Sequence, residues 1–198
     1  MPRSPEPARR KLLDAALALF AERGISGSTM REIRIAAGQS NTAALQYHFG
    51  DIPGLLRALL ERELPPLVAR RKELLACSDD PWSVAAVFVL PLAEMATGSE
   101  HQKLVVRFLS QLLDDHSLTF QEILDLVGDT GTSEVYKLLH HHFPEIPEPL
   151  LWERVAVATN SFVHAAALRA ARTRHEQIVD DELFRHNLVD MFLGATTA

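Results

Sequence analysis

The side chains able to do covalent or metal chemistry are present but poorly spaced for it. His140-His141-His142 offers three imidazoles in a row. Consecutive residues on a helix point about 100° apart, so these three cannot converge on one ion while helical. No metal site is expected. The paired acids Asp79-Asp80, Asp114-Asp115 and Asp180-Asp181 flank apolar segments, where carboxylates cap helices. Cys77 is the single cysteine, so neither an internal disulfide nor a cysteine-based metal cage is available. No phosphate-binding loop, dinucleotide glycine motif or Ser/His/Asp order occurs. An enzyme is therefore a distant reading, and no cofactor is implied.

A different chemistry fits the stretch Gly38 to Phe49. Asn41, Thr42, Ala43 and Gln46 are small or polar residues at positions facing away from Leu45. Amides and hydroxyls can hydrogen-bond to base edges, and an alanine or threonine methyl can touch a thymine methyl. Arg9, Arg10 and Lys11, upstream, suit phosphate contact. Such residues act only if a helix presents them. Helical spacing is indeed the dominant pattern of the chain. Leu12, Leu13, Ala16, Leu17 and Phe20 make one apolar stripe that Gly24 stops. Thr29 and Glu32 have capping-box spacing ahead of Met30, Ile33 and Ala37. The turn AGQS leads to a third short helix opened by Ser40 or Asn41. Ile33, Ala37 and Leu45 can lock the second and third helices together. This is a helix-turn-helix arrangement, whose second helix enters the DNA major groove.

Beyond Asp51 the pattern predicts further helices. One runs from Pro53 until Pro65-Pro66 interrupts it, resuming from Leu67 to Ala76. Others cover Pro81 to Met95, His101 to Asp114, Leu118 to Leu126, Ser133 to Phe143, Pro149 to Arg174, and Glu182 to Leu193. With nine or ten helices and no strand signal, the fold class is all-α. The organisation expected is a helix-turn-helix domain over 1–50 and a helical regulatory and dimerisation domain over 51–198.

Charge and composition narrow the function. The net charge of −6 argues against indiscriminate coating of nucleic acid. Residues 1–60 nevertheless hold eight Lys and Arg against five acids, so a mildly positive head precedes an acidic body. The longest apolar run, Val84 to Ala93, contains Pro91 and is half the roughly 20 residues of a membrane span. The N-terminal residues show no apolar core of a secretory signal. A cytoplasmic location without membrane contact is the expectation.

The segment ARRKLLDAALALFAERGISGSTMREIRIAAGQSNTAALQYHFGDIPGLL resembles the DNA-binding head of the tetracycline-repressor (TetR) family. The resemblance covers residues 8–60. It rests on the AA..LF.E.G pattern of the first helix, the Thr29 cap, Ile33, Ala37-Gly38, Ser40, and the aromatic residues before Asp51. It departs from the family at Gln39, where valine is common, and at Ile52, where a basic residue is common. The family implies a bacterial ligand-responsive transcriptional regulator, usually a repressor, acting as a homodimer on a palindromic double-stranded DNA operator. It further implies that Tyr47 and His48 contact phosphate and that Thr29 lies near the DNA backbone. Thr42 and Gln46 are then the base readers, with Gln39, Ser40 and Asn41 beside them.

The body offers a candidate pocket and a pairing face. Pro91 interrupts an apolar helix and frees the Val87 carbonyl. Phe88, Phe108 and Tyr136 are candidate walls for an unidentified small-molecule effector. Arg107, Gln111, Asn160 and His164 are candidate polar anchors, Arg107 for a carboxylate. The last two helices carry apolar residues around much of their circumference. The resemblance implies that they pair with a second copy, through Val155, Phe162, Ala166, Leu188 and Phe192. Two other readings stay open: a dimeric DNA-binding adaptor without a ligand, and a helical enzyme.

Overall fold

A computed structural model describes residues 5–41, 43–115, 120–128, 130–173, 176 and 178–198. Among these residues there are eleven helices and no strand, so the all-α class holds with a count slightly above nine or ten. The break expected at Pro65-Pro66 separates two of them. The prolines end α4 (Ile52–Glu63) and open α5 (Pro65–Leu75) almost at once, rather than delaying it to Leu67. Proline is well tolerated in a first turn, where its missing N–H has no intrahelical partner anyway.

The chain forms two compact units. The first holds α1 (Pro5–Arg23), α2 (Met30–Ala36), α3 (Ala44–Phe49), α4, and the later segment containing α8 (Phe120–Val127). Helix α4 thus groups with the head, although the chain break expected from sequence falls just before it at residue 50. The predicted stripe of α1 is its core: Leu12, Leu13, Ala16, Leu17 and Phe20 are all buried. Ile33, Leu45, Leu55, Leu56, Leu59 and Leu60 complete it from α2, α3 and α4. Gly24 ends α1 with a positive φ of 78° and donates its N–H to the Phe20 carbonyl at 3.0 Å.

The second unit holds α5, α6 (Pro81–Ala96), most of α7 (Glu100–Leu113), α9 (Thr132–His142), α10 (Glu148–Ala171) and α11 (Asp181–Thr197). Helix α6 is its axis and touches α5, α9, α10 and α11. That explains why its sequence is apolar on every side: Val84 through Val89, and Leu92 and Ala93, are buried. Asp80 starts it, its carboxylate accepting from the N–H groups of Trp82 at 2.9 Å and Ser83 at 3.2 Å. Pro91 sits inside α6 without ending it. Arg70 of α5 clamps α6 through two 3.0 Å hydrogen bonds to Glu94. Arg169 of α10 reaches Asp181 of α11 at 2.6 Å.

Candidate nucleic-acid interface

The head is organised by local hydrogen bonds that hold α3 at a fixed angle to α2. Thr29 caps α2 in both directions. Its hydroxyl oxygen accepts from the Glu32 N–H at 3.3 Å, and the Glu32 carboxylate accepts from the Thr29 N–H at 2.9 Å. Glu32 also accepts from the Thr29 hydroxyl at 2.6 Å. These bonds stabilise the carboxylate and hold its pKa below the ordinary value, with a smaller contribution from Arg23. At the other end of α2, Gly38 takes a φ of 64° that favours glycine, and the Gln39 N–H bonds the Arg34 carbonyl at 3.0 Å.

The entry to α3 differs from expectation. Neither Ser40 nor Asn41 is its N-cap; the helix begins at Ala44 with Ala43 at the cap. The Asn41 carboxamide oxygen instead accepts from the Ala43 N–H at 3.0 Å, shaping the turn before the helix. Thr42 lies outside the described residues. Within α3, Leu45 and Phe49 are buried, while Gln46 is exposed and Tyr47 is 81% exposed. The side chain of His48 is half-buried between them, its ring 5.2 Å from that of Tyr47. The Arg9 guanidinium lies 5.5 Å from the Phe49 ring centre, which ties α1 to the end of α3. Arg10 is exposed, as are Ser40 and Asn41, and Gln39 is half-buried. Gly50, with φ 78°, ends α3, and Asp51 starts α4 by accepting from the Gly54 N–H at 2.8 Å.

Sequence reasoning missed Arg34. Its guanidinium folds over the turn, donates to the Gln39 carbonyl and reaches that of Ser40 at 3.4 Å. No periodicity signals this contact, because it joins a helix to the loop after it.

Some candidate ligand residues of the body are engaged by neighbouring side chains and backbone. Phe88 is buried against two other rings, stacked on Phe192 at 5.2 Å and edge-on to Phe162 at 5.7 Å. Phe108 is fully buried, and Arg107 and Gln111 are half-buried. The Tyr136 hydroxyl donates to the Glu148 carbonyl at 2.8 Å, and its ring lies edge-on to Trp152. Burial first, and then the Glu148 charge, raise the phenol pKa. Asn160 is exposed on α10, where its carbonyl lies 2.9 Å from His164 Nδ1.

The five residues assigned to pairing with a second copy, Val155, Phe162, Ala166, Leu188 and Phe192, are all buried within a single chain. They fill the core between α6, α10 and α11 and have little surface left to offer. Apolar residues more than half exposed on these helices are Val157 and Leu168 on α10 and Leu183 and Met191 on α11.

The geometry of the first unit defines a class: a helix-turn-helix protein that presents one short helix with polar residues outward. Residues 12–59 match the family model described as bacterial regulatory proteins, tetR family. The regulator BetI of Burkholderia thailandensis is 28% identical over 183 residues, covering 84% of this chain and 90% of that protein. The repressor KstR2 of Rhodococcus jostii is 36% identical over 72 residues, about a third of each chain. The solved structure of NalD from Pseudomonas aeruginosa, a secondary repressor of a multidrug efflux pump, shares the fold. Its TM-score is 0.62 at 18% identity, covering 97% of this chain and 98% of that one. Residues 12–59 thus carry the DNA-binding module described for the tetR family, and the relatives it resembles are transcriptional regulators.

Proposed function

We propose that the protein is a cytoplasmic, homodimeric repressor that leaves a palindromic operator when a small molecule binds its body. The observation that carries the DNA-reading part is α3: Leu45 and Phe49 anchor it, while Gln46 and Tyr47 face outward. In this reading Gln46 and Thr42 address base edges. Tyr47, His48, Arg9, Arg10 and the turn residues Gln39, Ser40 and Asn41 meet the backbone, with Thr29 nearby. One head with so few cations binds weakly, and two heads spaced by about one helical turn bind far better. Pairing runs through the outward residues Val157, Leu168, Leu183 and Met191 rather than through the buried set. The names of the relatives support the repressor sense: KstR2 is called a transcriptional repressor, and so is AcnR of Corynebacterium glutamicum, 37% identical over 59 residues.

A ligand acts only through its differential affinity for the DNA-binding and released states. The deciding experiment is sequencing of DNA fragments selected by the purified protein. A single palindromic motif, bound by two copies, is the expected result. Failure to enrich any motif would overturn the reading, and a motif without inverted symmetry would overturn the dimer geometry.

A further inference from the structure

Arg71, on α5, is a charged side chain with no charged partner among the described residues. It is only 8% exposed. Its Nη1 donates to the Thr130 hydroxyl at 2.8 Å, the Thr130 carbonyl at 3.1 Å and the Thr132 hydroxyl at 3.4 Å. Its Nη2 reaches the Phe88 carbonyl at 3.3 Å, and the guanidinium carbon stands 4.8 Å from the centre of the Phe88 ring. Every one of these partners is neutral. Its Nε is buried and makes no hydrogen bond. The other buried arginine of this unit, Arg169, has Asp181, and the half-buried neighbour Arg70 has Glu94 and Glu73. Of the two buried arginines, Arg71 is the one with no acid beside it among the described residues. Burial lowers its pKa to about 10, so it still carries its charge near neutral pH.

A buried guanidinium without an anion is costly, and proteins normally pair it. Here Thr130 and Thr132 hold one end of the fork still. The opposite edge, Nε with Nη2, has one unused donor and one long contact to a carbonyl. Two parallel donors on one edge match the two oxygens of a carboxylate. We propose that Arg71 anchors an anion site in the body that takes the carboxylate of a small molecule. One guanidinium neutralises one carboxylate. A phosphate dianion would leave excess charge beside the buried Phe88 ring. Pro91 lies close by in α6, three residues after Phe88, whose carbonyl Arg71 reaches. The inference deepens the ligand-responsive reading and rests on it, naming an anionic effector class and moving the anchor from Arg107 to Arg71.

The test uses the full chain and formate, the smallest carboxylate, as probe. Thermal unfolding of the wild type and of Arg71→Met is followed in sodium formate and in sodium chloride at equal ionic strength, about 200 mM. Formate is expected to raise the wild-type Tm by about 3 °C over chloride. The Arg71→Met protein should show no such difference, and phosphate, which stabilises folded proteins generally, should raise the Tm of both proteins by the same amount. Equal responses to formate in both proteins, or none in the wild type, would overturn the site. A phosphate response that exceeds formate's in its dependence on Arg71, wild type minus Arg71→Met, would overturn the carboxylate assignment. If Arg71→Met does not fold, Arg71→Lys keeps the charge without the fork, and the formate shift should at least halve; an undiminished shift counts against the proposal. Operator binding, measured separately without formate, fails only if the regulator reading fails.

Discussion

The guanidinium of Arg34 closes the turn that follows its own helix by donating to the carbonyl of Gln39. With Gly38 in the left-handed region, this contact sets the angle at which α3 leaves α2. Replacing Arg34 by alanine should leave the helical content unchanged, because the core residues Ile33 and Leu45 are untouched. Operator affinity should nevertheless drop about tenfold, since a misplaced α3 loses contacts together. Circular dichroism and fluorescence anisotropy on the same samples check both halves.

Thr29 and Glu32 make a pH-dependent cap. The folded pKa of Glu32 lies below its ordinary value near 4.5, chiefly through the hydrogen bonds from Thr29. Its contribution is therefore full above that ordinary value and is lost as pH falls through the folded pKa. Thr29→Ala should lower Tm by about 3 °C near neutral pH. The gap between wild type and variant should narrow on acidification from about pH 5 to pH 3. A gap that widens on acidification would contradict the cap.

Gln46 and Tyr47 separate stability from recognition. Both are exposed, so alanine at either should change stability by no more than about 0.5 kcal/mol. Gln46→Ala should cost about 1–3 kcal/mol of operator binding and relax preference at one base pair per half-site. Tyr47→Ala should weaken binding to all sequences alike. Selected-fragment sequencing with each variant distinguishes the two.

The inner and outer faces of α10 and α11 should behave oppositely. Phe192 is 2% exposed and touches both Phe88 and Phe162, so Phe192→Ala should cost about 3–5 kcal/mol of folding stability. Leu168→Asp with Met191→Asp places charges on residues that are each 61% exposed. That pair should leave the fold intact and yield monomers in analytical ultracentrifugation. Dimers that survive the double substitution would place the pairing surface elsewhere.

The order of elements was legible in the residues themselves, because helices and their caps are short-range structures. Leu12 to Phe20, Thr29 with Glu32, and Asp80 with Ser83 declare themselves by spacing over three or four positions. The same is true of the head as a motif, since Gly38 and the residues around it act on near neighbours. What lay beyond reach were relations between residues distant in the chain. An apolar stripe says that Phe162 and Phe192 are buried, and the structure buries them. It does not say against what, and within the chain they pack on Phe88. Arg71 looks like any helical arginine in RRKELL; only the fold encloses it with Thr130, 59 residues away, and with no acid among the described residues. Periodicity records that a side chain leaves water, whereas the identity of its neighbours and the balance of its charge are set by which helices come together.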